Sequence, residues 1–312
     1  LDERELAGDT RSIETFRSQW RHVSGTELAR KLLRDITAVD VRAWLDEILQ
    51  KRALVVVGGE AHTHAPSKRR LSRSTVSKVL SMLRQVLERA LERGLVRSNP
   101  CRDVKVRKSA QARAHDVWTY LTLAEIARLD SCTDIRDVFR VVYLVAIYTG
   151  LREGELWGLH WSDVDLTSAR PELVVRYSRR GAPKNGRVRR VPLLGRAVEL
   201  LTRWKALAPK SEEGLAFPTR TGEMRSRGDD ARWADYHAPK MVNGVRTNVR
   251  CEGQSKKLKL GRPARFHDLR HTCASHLIMG SWGVQCTPTE ITTNHGHSDT
   301  EVTERYAHLS PD

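Results

Sequence analysis

Apolar residues recur at helical spacing through most of the first hundred positions. Thr37 and Asp40 have the spacing of a capping box, and behind them Val41, Trp44, Leu45, Ile48 and Leu49 fall on one helical face. Ser74 is placed to cap a second helix, with Val76, Val79, Leu80, Leu83, Val86, Leu87, Ala90 and Leu91 on one stripe. Gly94 follows where a helix C-terminus favours a left-handed residue. Between the two, Leu54 to Gly59 reads as a short strand, and the run HTHAPSKRR after it as an exposed basic loop. Asn99-Pro100 closes the block, and Cys101 to His115 lacks an apolar period and reads as a linker.

The second block opens on Thr122 and Glu125, again at capping-box spacing, and an apolar helix from about Asp134 to Tyr148 ends at Thr149-Gly150. Val174, Val175 and Tyr177 predict one strand and Val188 to Leu193 another. The turn residues Gly181, Pro183, Asn185 and Gly186 between them imply a hairpin. Helical stripes return at Ala197–Leu207, Asp268–Met279 and Thr300–Leu309. The pattern predicts a mostly α fold with one small antiparallel β-sheet. The domains are a helical one over 1–100, a basic linker over 101–117 and a second domain over 118–312.

Length and charge sharpen this picture. A chain of 312 residues is comfortable for two domains. Its 54 Lys and Arg against 38 Asp and Glu leave a net charge of +16, which points to a polyanionic partner, nucleic acid first and an acidic membrane second. Before Val117 there are 24 basic against 15 acidic residues, and after it 30 against 23, so both halves are basic. Two basic domains on a basic linker fit a clamp around a duplex better than a tail that tethers nonspecifically. No apolar run reaches the ~18 residues of a membrane span, no signal-peptide pattern opens the chain, and no amphipathic anchor stands out. Five cysteines with no CxxC pair fit a reduced cytoplasm.

Four separated patches can carry chemistry. Arg152 follows the apolar helix and Gly150, a position that can project a guanidinium into a cleft as readily as into solvent. Lys184 sits at the hairpin tip, where a plain surface lysine is the bland alternative. His267 and Arg270 share a face at i,i+3. His267 and His271 resemble half a zinc site, but Asp268 stands where HExxH needs Glu, and no third ligand is evident. His297 precedes Tyr306 by nine residues, and Tyr306 shares a helical face with Val302 and Leu309, as a structural tyrosine would. Read together, these are the groups needed to attack a phosphodiester without a metal. Two guanidiniums can hold both non-bridging oxygens and neutralise the transition state. A tyrosine of pKa ~10 needs a base or cations beside it, and the leaving alkoxide needs a proton donor. Neither the acidic clusters of two-metal nucleases nor a GxxxxGK[ST] phosphate loop is evident, so metal and ATP dependence are not expected.

The segments TGLREGEL, PKNGRVRRVPL, HDLRHTCASHL and GHSDTEVTERYAHL resemble, in order, the four signature regions of tyrosine recombinases, the phage integrase family. The N-terminal block ending in GLVRSNP is similar to that family's core-binding domain, so the resemblance runs from about Ile13 to Leu309. It implies a two-domain C-shaped clamp, a helical core-binding domain followed by a mixed α/β catalytic domain. Tyr306 would be the nucleophile, Arg152 and Arg270 the phosphate clamp and Lys184 the general acid for the 5′ oxygen. His267 would assist proton transfer, His297 would bind a phosphate oxygen and Glu155 would orient its neighbours. Arg102, Lys105, Arg107 and Lys108 are expected to touch the DNA backbone. The implied reaction is site-specific strand exchange through a 3′-phosphotyrosyl bond, with no cofactor. The implied partners are double-stranded DNA, a homotetramer on two paired sites and an accessory DNA-bending or directionality factor, in the cytoplasm of a bacterium and associated with its nucleoid.

Two other readings use the same residues: a type IB topoisomerase-like enzyme that relaxes a single duplex, and a non-catalytic DNA-binding protein that only grips phosphates. The sequence also departs from the family pattern. His295 stands where an apolar residue usually precedes the Gly-His pair, extra residues fall in Gly280 to Gln285, Met241 to Leu260 reads as an added basic loop, and six residues follow Tyr306.

Overall fold

The computed structural model describes residues 10–57, 63–107, 119–179, 181, 188–225, 233, 236–242 and 245–296. The chain divides into two compact units, Leu1–Asp116 with Val242–Thr247, and Val117–Met241 with Asn248–Asp312.

The first unit is helical: α1 (Thr10–Trp20), α2 (Glu27–Arg30), α3 (Ala38–Gln50) and α4 (Arg73–Glu92), with strands β1 (Arg52–Val57) and β2 (Thr63–Arg70) between the last two. The Thr37 capping box forms: its hydroxyl accepts from the Asp40 amide, and the Asp40 carboxylate accepts from the Thr37 amide. Ser72, not Ser74, caps α4, its hydroxyl accepting from the Thr75 amide. Val41, Trp44, Leu45 and Ile48 on α3 pack with Val76, Val79, Leu80, Leu83 and Leu87 on α4. Each such buried side chain is worth roughly 1.5–3 kcal/mol against exposure, so this seam contributes substantially to the unit's stability.

Two expectations change here. The run HTHAPSKRR is not a loop but contributes β2, paired antiparallel with β1 through Val57↔Thr63 and Leu54↔Pro66. Backbone hydrogen bonds make that ladder, which is why no apolar alternation announced it. Cys101 and Val104 are buried in the first core, with Val106 packed against it, so the start of the stretch read as a linker is part of the first unit. Asn99 makes the turn, donating to the Arg84 carbonyl (3.0 Å) and accepting from the Cys101 amide (3.0 Å).

The second unit is built around α6 (Asp137–Thr149), in which Val138, Phe139 and every residue from Val142 to Ile147 are buried. A helix apolar on all sides belongs at the centre of a core, and α6 is packed by α5 (Leu123–Ser131), α8 (Gly195–Leu207) and α9 (Phe266–Ile278). The short α7 (Glu153–Trp157) follows α6, and α10 (Pro288–His295) is the last described helix. Strands β3 (Val164–Asp165), β4 (Glu172–Val175) and β5 (Arg189–Pro192) form the antiparallel sheet, in register Leu173↔Val191 and Val175↔Arg189.

Sheet structure is not confined to those strands. The segment read as an added basic loop, Met241 to Leu260, holds the end of β6 (Tyr236–Val242), all of β7 (Val245–Cys251), to which β6 is hydrogen-bonded, and a 3-10 turn that buries Leu258. The Gly280–Gln285 stretch carries Trp282, whose ring lies 4.9 Å from Tyr148 and 5.1 Å from His276. Among the described residues no helix is long and apolar enough to cross a membrane.

Candidate active site

The site starts where α6 stops. Gly150 takes the left-handed conformation, φ 64°, that terminates the helix, and its amide donates to the Ala146 carbonyl. A side chain is also excluded there by space: a Cβ on Gly150 would stand 2.1 Å from His295 Nε2. His295, the departure from the family's apolar residue, is buried and fills the volume over the glycine. The chain emerges from this turn at Arg152, the N-cap of α7.

Arg152 is half-buried and paired with Glu155. Its Nη1 donates to Glu155 Oε1 (2.9 Å) and its amide to Oε2 (2.8 Å), while Nη2 donates to the Gly296 carbonyl (3.1 Å). Glu155 is only 3% exposed. On its other side Arg189, the first residue of β5, donates from Nη1 (3.0 Å) and Nη2 (2.7 Å). Burial pushes the Glu155 carboxyl up, but the hydrogen bonds and charges of Arg189 and Arg152 outweigh it and hold the pKa at about 2.

Arg270 lies on α9, whose start is fixed by Asp268 accepting from the Arg265 amide (2.6 Å). Thr272 secures the next turn, donating to the Asp268 carbonyl (2.7 Å) and accepting from the Leu121 amide (3.0 Å). Arg270 is 1% exposed. Its Nη1 donates to the Gly150 carbonyl (2.7 Å) and its Nη2 to the His295 carbonyl. The buried Nε has no hydrogen-bond partner among the described residues. A guanidinium has five donors, so this one retains capacity for an anion, and an unmet buried donor costs about 1–3 kcal/mol. Burial first, then the nearby Arg152 charge, lowers its pKa from the ordinary value.

His267 precedes Arg270 by one helical turn. Solvent reaches its surface, yet surrounding protein partly desolvates the ring, and this together with the Arg270 and Arg152 charges lowers its pKa. The imidazole is therefore mainly neutral at pH 7. His271 meets it edge-on, ring centroids 4.8 Å apart, and is held neutral by burial and by His267, at about 4. Among the described residues no group of three metal-ligating side chains forms.

The structure thus brings together Arg152, Glu155, His267 and Arg270. Lys184, His297, Tyr306 and Lys108 lie outside the described residues. Two tyrosines in the unit are poor nucleophiles: burial raises the pKa of both Tyr143 and Tyr148. Arg189 escaped the reading of the sequence, although a signal was present. Alternation along Arg189-Arg190-Val191-Pro192 puts Arg189 on the same face as buried Val191, and an inward charge on a strand demands a partner.

In the first unit, Arg102, Lys105 and Arg107 are exposed. Lys105 and Arg107 line a cleft of about 850 Å³ together with Arg42 and Arg73, over a floor of Leu45, Leu49 and Val104. Two acids, Asp46 and Asp103, share its rim.

The chain is similar to tyrosine recombinase XerC of Xanthomonas axonopodis pv. citri (strain 306), 25% identical over 247 residues that cover 78% of this chain and 70% of that protein. XerC of Proteus mirabilis is 24% identical over 276 residues, 88% of this chain and 78% of the relative. In fold, the chain resembles the Tn1549 transposon integrase in complex with transposon right end DNA, at a TM-score of 0.68 and 15% identity over 96% of this chain and 89% of that one. A lambda integrase dimer bound to a COC′ core site gives a TM-score of 0.60 and 17% identity over 95% and 88%. Residues 118–312, more than half of the sequence, match the phage integrase family, and the chain belongs to that family.

Proposed function

We propose that the protein is a site-specific DNA recombinase that cleaves and rejoins strands through a 3′-phosphotyrosyl intermediate, in the integration or excision of a mobile element. The observation that carries this reading is the convergence of Arg152, at the N-cap of α7, and Arg270, on α9, on neighbouring backbone carbonyls of one site in a phage integrase chain. Each retains guanidinium hydrogens for a phosphate, and two such groups suit the charge of a pentacoordinate transition state.

In this mechanism the Tyr306 oxygen attacks the scissile phosphorus, the bond to the 5′ oxygen breaks, and Lys184 supplies the proton that this oxygen takes up. His267, neutral at pH 7 because its pKa is lowered, accepts the phenolic proton. His297 binds a phosphate oxygen, and Glu155 orients Arg152. Attack by the partner strand's 5′-hydroxyl reverses the step, and the phosphotyrosyl bond conserves the energy of the phosphodiester. Arg102, Lys105, Arg107 and Lys108 contact the DNA backbone, with the cleft around Arg42 and Arg73 as an adjoining surface. A lambda integrase tetramer bound to a Holliday junction shares the fold, at a TM-score of 0.58 and 17% identity over 95% of this chain. By analogy four protomers pair two sites, with an accessory factor setting direction, in the cytoplasm where the DNA lies.

The test is incubation with a nicked duplex carrying the target site, in EDTA and without ATP. A protein–DNA species that survives denaturation is expected. Full DNA binding with no such species would leave only the gripping of phosphates, and would overturn the enzymatic reading.

A further inference from the structure

Three arginines converge on the end of α10, and only two of them belong to the proposed phosphate clamp. The consecutive carbonyls of Asn294, His295 and Gly296 accept from Arg189 Nε (3.0 Å), Arg270 Nη2 and Arg152 Nη2 (3.1 Å). The last carbonyls of a helix have no partner within it and carry the negative end of its dipole, so guanidiniums suit them. Arg189 differs from the other two in having both terminal nitrogens committed to Glu155, in a forked pair whose side chains are 11% and 3% exposed. Arg152 meets the same carboxylate through one guanidinium nitrogen and its backbone amide. A carboxylate offers about four acceptor positions. Arg189 fills two and the Arg152 amide a third, which leaves the Arg152 guanidinium a single point of contact. With Arg189 gone, Arg152 would be the sole guanidinium on a buried carboxylate, and the favoured arrangement would be a forked pair that draws it away from substrate.

We propose that Arg189 is a positioning residue for DNA cleavage. By saturating Glu155 and the Asn294 carbonyl it keeps Arg152 in single-point contact, with its remaining donors available to phosphate, and it fixes the end of α10 from which the chain continues to His297. It also opens β5, five residues after Lys184, so one side chain ties that strand to α7 and α10. The inference rests on the recombinase reading above.

The experiment is single-turnover cleavage of a nicked target duplex across DNA concentrations. It uses the full chain as wild type, Arg189→Lys, Glu155→Gln and the double variant. Lysine keeps the charge and a fold-compatible stem but cannot fork. Arg189→Lys should cleave about 10- to 100-fold more slowly at saturating DNA, with the half-saturating DNA concentration unchanged within about two-fold. If Arg189 acts through Glu155, the double variant is no slower than the slower single variant. A wild-type rate in Arg189→Lys, a defect confined to half-saturation, or losses that multiply would each overturn the proposal. Absence of covalent product from the wild type would instead overturn the recombinase reading itself.

Discussion

At the scale of single residues, the site is an exercise in holding one buried carboxylate ionised. Glu155 is almost inaccessible, yet its pKa stays at about 2 against an ordinary 4.5, because Arg189 and Arg152 more than offset desolvation. A pKa lower in the folded than in the unfolded chain means stabilisation that is complete above about pH 4.5 and lost as pH falls towards 2. The difference corresponds to roughly 3 kcal/mol at neutral pH. Glu155→Gln should therefore lose stability at pH 7 and show a shallower acid limb, read by urea denaturation at a series of pH values. Acid limbs of equal slope in the two proteins would mean that Glu155 is not held as described. Each member of the charged pair of Glu155 and Arg189 leaves a local signal in the sequence, but their pairing does not, because they stand 34 positions apart on different elements. Arg152 and Arg270 were legible, because each stands in a short motif whose residues are local.

At the scale of elements, the helices were read from their period and the strands only where apolar residues alternated. α3, α4 and α8 bury most of the apolar stripe that the sequence displays, while α6 and α9 are buried on nearly every side. β2 carries His64, Pro66, Ser67 and Lys68, a run with no apolar alternation whose pairing lies in backbone hydrogen bonds, so its pattern reads as a loop. The seating of α6 against α10 was also hidden, since it depends on Gly150 and His295 meeting across the fold. Gly150→Ala forces a left-handed alanine, costing roughly 1–2 kcal/mol, and sets a methyl 2.1 Å from His295 Nε2. A total loss of about 2–4 kcal/mol is expected. In a His295→Ala background the same change should cost only the backbone part. Chemical denaturation of the four proteins of this cycle measures the coupling. Equal costs in both backgrounds would show that His295 does not occupy the space over the glycine.

At the scale of the whole molecule, each unit has its own core and an excess of basic residues, within a total of +16. Affinity for duplex DNA should then come mostly from phosphate contacts and the release of counterions. With about 6–10 phosphates neutralised, affinity falls about 10³–10⁵-fold between 50 and 200 mM salt, measurable by fluorescence anisotropy on a labelled duplex. A nearly flat salt dependence would contradict a DNA grip built on both units. What the charge cannot supply is chemistry, and the central claim is that one oxygen, on Tyr306, makes the covalent bond to DNA. Tyr306→Phe removes that oxygen and keeps the ring, so DNA binding and the thermal transition should persist. The decisive measurement is mass spectrometry of the DNA-linked peptide from a nicked-duplex reaction, run beside Tyr306→Phe. An adduct on Tyr306 is expected in the wild type and none in the folded, DNA-binding variant. An adduct that persists in Tyr306→Phe, or one that maps to another residue, would contradict it.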